Sequence, residues 1–129
     1  MLNSTLHGAR VVIIDDVQAN MRLLESSLRT MGLGQVKGFS DSAEGLRWLQ
    51  ENSWDLLLLD LDMPEPDGFT ILEALRERDR TAQQVILVTA LGDAASRRRG
   101  LDLGGNDYVT ISGIQNFTKD PNGAYLVTS

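Results

Sequence analysis

The chain has 129 residues, 12 Lys and Arg against 18 Asp and Glu for a formal charge of −6, and 42% hydrophobic residues. That length suits one domain with its own core, and the apolar content excludes a disordered chain. Cys is absent, excluding disulfides, thiolate metal sites and Cys nucleophiles. The acidic balance argues against direct nucleic-acid binding, which needs Lys and Arg to displace counterions.

Residues 1–9 read as a leader without the charged-then-apolar plan of a signal peptide, and His7 within it reads as solvated. No run approaches the ~20 apolar residues of a membrane span, so a cytoplasmic domain without membrane contact is expected. Val11-Val12-Ile13-Ile14 is a continuous apolar run that stops at Asp15-Asp16, the pattern of a strand buried on both faces. Residues 18–31 have helical spacing, with Met21, Leu24, Leu28 and Met31 on one stripe and Gly32 and Gly34 as terminators. Gln35–Phe39 reads as a second strand. Ser40 or Asp41 can cap the next helix, which turns Leu46 and Leu49 inward and leaves Trp48 at its margin.

Asp55–Leu61 holds four successive Leu ending at Asp60. Leu favours helices, but the run is short and Pro64 and Pro66 follow, so a strand is expected. Gly68–Asp79 is an amphipathic helix with Ile71, Leu72 and Leu75 inward. Gln84–Ala90 is a strand, residues 93–103 a short helix closed by Gly104-Gly105, and Asn106–Ile111 a fifth strand. Strict alternation of strands and helices implies an α/β fold, a parallel sheet with right-handed crossovers. After Ile111 the helical stripe expected of a further crossover is missing. Asp120-Pro121-Asn122-Gly123 is instead a turn signal between Gln115–Lys119 and Ala124–Thr128, which predicts a β-hairpin.

In open α/β sheets, ligands bind beyond the carboxyl ends of the strands where the strand order reverses. For the order 2-1-3-4-5 that point lies between the first and third strands, which end at Asp15-Asp16 and at Asp60. Carboxylates so close repel one another unless a cation or shared protons relieve them. Mg²⁺ is the fitting cation, since it takes hard oxygens and keeps several waters. An isolated Asp-Asp pair would read as a helix N-cap and a solvated turn; Asp60 at the same sheet edge gives the pair its weight. Asp62 can add a backbone carbonyl or be a plain loop residue. Thr89, at the end of the fourth strand, divides evenly between an oxyanion donor and an ordinary strand residue. Tyr108 divides between half-buried packing and a mobile aromatic. In the loop after Asp60, Pro64 fixes φ, and Asp67-Gly68 permits a tight entry into the next helix.

Residues 10–110 resemble the receiver domain of bacterial two-component response regulators. The resemblance rests on Asp15-Asp16, Asp60, the loop MPEPDG at 63–68, Thr89-Ala90 and Gly104-Gly105-Asn106-Asp107-Tyr108. It implies a flavodoxin-like, CheY-like doubly wound sheet over residues 10–111, with 112–129 as an atypical tail in place of the last helix. It implies that Asp60 is the phosphoacceptor for a histidine kinase or phosphotransfer protein. Asp15, Asp16, Asp60 and the Asp62 carbonyl would hold Mg²⁺, while Thr89-Ala90 and Tyr108 would form the phosphoryl-responsive switch. An output domain or effector protein is the implied downstream partner. The family places a Lys three residues after the position of Tyr108, usually followed by Pro; here Ile111 and Ser112 stand there. Loss of that charge-assisted contact would forfeit roughly 1.5–3 kcal/mol. The tail is either foreign to the fold, through truncation, fusion or an altered reading frame, or part of a divergent receiver that associates through it. The abrupt break favours the first, and an uncovered fifth strand or tail would invite homodimerisation.

Two rival readings stand beside the phosphoacceptor switch. A degenerate receiver would act by protein binding alone, against which the intact Asp15, Asp16 and Asp60 speak. Leu57–Asp62 also resembles the apolar-strand-then-DxD motif of haloacid-dehalogenase-type phosphatases. That motif wants Thr or Val where Pro64 stands and normally opens its domain. A flavin site is disfavoured because the first loop, Asp15–Gln18, is acidic and lacks phosphate-cradling residues. The expectation is a non-enzymatic switch with at most self-catalysed phosphorylation and dephosphorylation.

Overall fold

The computed structural model describes residues 8–78, 83–89, 94–110, 117–119 and 125–127. Strand β1 (Arg10–Ile14) is followed by α1 (Gln18–Thr30), β2 (Gln35–Phe39) and α2 (Ser42–Glu51). Then come β3 (Leu56–Leu59), α3 (Gly68–Arg78), β4 (Gln84–Thr89), α4 (Ala94–Asp102) and β5 (Asp107–Thr110). These strands form one five-stranded sheet in the order β2-β1-β3-β4-β5, with every neighbouring pair parallel. The parallel sheet expected from the alternation forms, in the doubly wound, flavodoxin-like order that the resemblance implies. Among the described residues, no helix is long and apolar enough to cross a membrane.

Because successive strand side chains point to opposite faces, the unbroken apolar runs divide into two cores. Val12, Ile14, Leu57, Leu59, Val85 and Leu87 meet Leu49 of α2 and Ile71, Leu72 and Leu75 of α3. On the other face Val11, Ile13, Leu56, Leu58, Ile86 and Val88 meet Leu24 and Leu28 of α1. Each such Leu or Ile contributes about 1.5–3 kcal/mol by leaving water, which holds β1 and β3 at the centre of the molecule. Trp48 packs at the core margin as expected, with the Lys37 ammonium 5.7 Å from its ring centroid.

The caps follow the sequence closely. Asp41 caps α2, its Oδ1 accepting from the Ala43 and Glu44 amides at 3.0 and 3.3 Å. Asp67 does the same for α3, accepting from the Thr70 amide at 2.9 Å. The N-cap residue of α1 is Val17, which makes no side-chain cap bond, so the N-cap alternative for Asp15-Asp16 is not what forms. α1 ends at Met31, with Gly32 at φ 95°; Gly34 is not left-handed.

β3 is shorter than the 55–61 expected. The ladder contacts continue past it, since the Asp55 amide donates to Arg10 O at 2.9 Å and the Asp60 amide to Ile14 O at 3.0 Å. The chain then turns at Asp60, so Leu61 is buried outside the strand. Of the tail, the structure describes β6 (Phe117–Lys119) and β7 (Tyr125–Val127), paired antiparallel with Phe117 opposite Val127. The predicted hairpin forms with shorter strands, and its Asp120–Gly123 turn lies outside the described residues.

Candidate functional site

β1 and β3 are hydrogen-bonded neighbours whose last residues, Ile14 and Leu59, are paired in register. The residues that follow them therefore leave the sheet side by side at its carboxyl edge. Asp15 is 1% exposed and Asp60 5% exposed, whereas Asp16 lies at the surface. One carboxylate oxygen from each of the three lies within 4.8 Å of the others. The switch point thus brings together the three acids that the sequence placed there.

Local bonds orient this cluster. Asp15 Oδ1 accepts from the Val17 amide at 2.9 Å, and the Asp15 amide donates to Phe39 O at 3.1 Å. Asp15 Oδ2 is buried without a hydrogen-bond partner among the described residues. Burial, with the negative charge of Asp16 beside it, raises the Asp15 pKa, while the Val17 amide opposes the shift. Asp60 Oδ1 accepts from the Asp62 amide at 3.1 Å. Gly68 seats α3 against this strand end: its amide donates to Leu61 O at 3.3 Å, and a Cβ there would strike Asp60 O and lie 2.6 Å from Leu61 Cα.

The donors suit a hard divalent cation. All three are carboxylates, one buried oxygen lacks a partner, and the exposed Asp16 side opens to water that a strongly hydrated ion retains. Asp62 is exposed and its carboxylate is not in the cluster, which leaves its backbone as its only route to the site. Met63 is buried, and Tyr108 is half-buried against the α2–α3 core, opposite Leu87. Thr89 closes β4 one residue beyond the level of Asp60, since Leu59 pairs with Leu87; its side chain, Ala90 and Ile111 lie outside the described residues.

Sequence reading missed Arg76, which is 5% exposed and donates from Nε to Gly104 O and from Nη2 to Asn106 Oδ1, each at 3.0 Å. The available signal was its place four residues after Leu72, beside the apolar stripe of α3. It missed Asn106 as well, which was assigned to the fifth strand. Asn106 instead stands before β5 and bridges it to β4, accepting from the Val85 amide at 2.8 Å and donating its own amide to Val85 O at 2.7 Å.

Comparison with known proteins agrees with this geometry. The response regulator receiver domain family matches residues 11–111. Response regulator PleD of Caulobacter vibrioides is 37% identical over 104 residues, which are 80% of this chain and 23% of that protein. The DNA-binding dual master transcriptional regulator RpaA of Synechocystis is 37% identical over 102 residues, 78% of this chain and 42% of that protein. The chain therefore spans less than half the length of these relatives. Among solved structures, the receiver domain of Francisella response regulator 1452 is similar at TM-score 0.73 and 26% identity, covering 80% of this chain and 84% of that one. A chain of the CheX–CheY–BeF3–Mg complex of Borrelia burgdorferi is similar at TM-score 0.73 and 25% identity, covering 79% and 77%. With its acids at the switch point of a 2-1-3-4-5 sheet and a family match running from β1 through β5, the chain belongs to the receiver domain family of two-component response regulators.

Proposed function

We propose that this receiver is a Mg²⁺-dependent phosphoacceptor in which Asp60 takes a phosphoryl group from the phosphohistidine of a histidine kinase or phosphotransfer protein. The observation that carries the reading is the acidic cluster, with two of its carboxylates withdrawn from water and one buried oxygen of Asp15 lacking a partner. Burying that much negative charge is costly, and the Val17 and Asp62 amides satisfy only one oxygen each of Asp15 and Asp60, which favours a cationic ligand. Asp15, Asp16, Asp60 and the Asp62 carbonyl would hold the metal. Bound there, Mg²⁺ would neutralise charge on the incoming phosphoryl oxygens, the help that phosphoryl transfer needs most.

The chain's own part is positioning. The Asp62 amide donates to Asp60 Oδ1 at 3.1 Å and so helps orient the carboxylate, of which Oδ2 would be the attacking atom. Oδ2 forms the new O–P bond as the P–N bond of the phosphohistidine breaks, and the imidazole leaves with the electron pair and takes a proton. Thr89 and Ala90 at the β4 terminus would receive the phosphoryl oxygens, and Tyr108 would then pack further inward, changing the α4–β5 face. The signal would pass to an output domain or effector protein. A homodimer through β5 or the tail is the matching self-association, and the compartment is the cytoplasm. Residues 10–111 form the receiver unit, and 112–129 are an appended tail.

Ile111 in place of the family's Lys favours a second reading, a receiver that binds partners without being phosphorylated. Intact mass after incubation with Mg²⁺ and acetyl phosphate separates the two. One added phosphoryl group, absent without Mg²⁺ and absent in Asp60→Asn, supports the acceptor. If the wild type stays unmodified but Ile111→Lys gains the adduct, the acceptor site is sound and limited by the missing Lys. Silence in both moves the reading to the binding module. Steady turnover of a phosphomonoester would point instead to a phosphatase.

A further inference from the structure

We propose that Arg76 is a positioning residue that couples the acidic site to the loop leading into β5. The inference rests on the phosphoacceptor reading above and concerns how the state of Asp60 reaches Tyr108.

α3 touches both places. Its first residue, Gly68, lies so tightly on the backbone of Asp60 and Leu61 that no Cβ fits between them. Its middle is locked in the core by the buried Ile71 and Leu72. Its last turn carries Arg76, about 12 Å along the helix axis from Gly68 at a rise of ~1.5 Å per residue. A well-packed helix moves as a body, so a shift of the Asp60 strand end arrives at Arg76 as a shift of the same helix.

At that end the contacts are directional. Nε and Nη2 of Arg76 hold two acceptors on two different residues, Gly104 O and Asn106 Oδ1. Gly104 sits at φ +114°, and a Cβ there would lie 2.7 Å from Arg76 Cγ and 2.9 Å from Nε, so the arginine stem is moulded to a glycine. Asn106 passes the constraint to β4 through Val85, whose amide shares Asn106 Oδ1 with the guanidinium. One residue later β5 begins, and Tyr108 follows. An apolar residue of similar volume would fill this space with less desolvation; the guanidinium adds a fixed fork that sets where the loop stands.

A static pillar and a coupling element predict different responses. Coupling is reciprocal, so if phosphoryl occupancy alters the loop, breaking the loop's tether must alter ligand affinity by the same factor. The test compares the full-length wild type, Arg76→Lys and Arg76→Met. Arg76→Lys retains the stem and the charge and loses the fork, which keeps the test open if Arg76→Met does not fold. Mg²⁺ with beryllofluoride serves as the phosphoryl mimic. Its affinity is read by calorimetry, and amide hydrogen exchange is followed over residues 103–108. In the wild type, ligand is expected to change exchange at Asn106 and Tyr108 by about fivefold or more, the lower end of ordinary couplings. In the variants that response should fall below about twofold, with beryllofluoride affinity changed by the factor lost and Mg²⁺ affinity alone held within about twofold. An undiminished response in the folded variants, or wild-type exchange that ignores bound ligand, overturns the coupling role. If the wild type fails to bind beryllofluoride with Mg²⁺ while Ile111→Lys binds it, the same comparison is read in the Ile111→Lys background; failure of both overturns the phosphoacceptor reading itself, and the inference with it.

Discussion

Replacing Asp15 with Asn in the metal-free protein removes one of two buried like charges and should stabilise the fold. Two full charges 4.8 Å apart, the limit that bounds the cluster, repel by about 3.5 kcal/mol at an effective dielectric of ~20. Desolvation and the neighbouring Asp16 charge both penalise the ionised Asp15, and hydrogen bonding to Asp60 offsets part of that penalty. Burial raises the Asp15 pKa, which lets the pair shed part of the repulsion by taking up a proton. A gain of about 1–3 kcal/mol remains for Asp15→Asn at neutral pH, roughly 1 M in the urea midpoint. The Asn carbonyl still accepts from the Val17 amide, so the loop should hold. A raised folded-state pKa means that the folded protein binds more protons than the unfolded chain between the ordinary carboxylate value and the raised one. The metal-free wild type should therefore lose stability as pH rises through that window and regain it on acidification, and Asp15→Asn should flatten the dependence. Mg²⁺ should stabilise the wild type by mass action and the variant far less. Urea melts in chelator and in Mg²⁺, at pH values on both sides of the window, read all of this. An Asn variant less stable than the wild type in chelator, or equally stabilised by Mg²⁺, would refute the reasoning.

Leu57→Ala, at a fully buried position in the central strand, should cost about 2–5 kcal/mol in urea melts, since a cavity there has no route to collapse. Gly68→Ala should destabilise by about 1–3 kcal/mol and weaken Mg²⁺ binding in calorimetry, because its Cβ meets the backbone of Asp60 and Leu61; Gly34→Ala, with nothing within 4 Å, should not. Asp55 is paired with Arg10 by two side-chain bonds of 3.1 Å, but both side chains are well exposed, so Asp55→Ala should move the urea midpoint far less than Leu57→Ala. Hydrogen bonding to Arg10 lowers the Asp55 pKa, so its contribution is full above the unfolded carboxylate value and is lost as pH falls through the depressed one. An NMR titration of the Asp55 carboxyl should find that depression, and Arg10→Ala should reduce it without abolishing it, because the Arg10 amide still donates to Asp55 Oδ2 at 2.8 Å.

Much of this molecule is legible along the chain. Val11–Ile14 declares itself as a doubly covered strand because a run without a polar residue has no face to offer water, and Leu56–Leu59 reads as a strand because it is short and closely followed by prolines. Their alternation with helical stripes implies the crossovers, and a parallel sheet of this order has one switch point. Given that order, the strand ends locate Asp15, Asp16 and Asp60. Asp41 was recognisable as a cap because capping is local chemistry, read within three residues.

What periodicity could not supply is the fate of single polar atoms. Asp15 and Asp16 are equivalent in the sequence, yet one is buried with an orphan oxygen and the other is exposed, according to which side faces β2 and β3. Asp62, which reads either as a backbone-carbonyl donor or as a plain loop residue, has an exposed side chain whose carboxylate lies outside the cluster. Arg76 reads as a charge on a helix margin until Gly104 and Asn106, 28 and 30 residues later, close over it. Patterns along the chain report which face of an element avoids water. Burial and pairing of a polar group depend on what distant segments bring to that face, and this is settled when the elements pack.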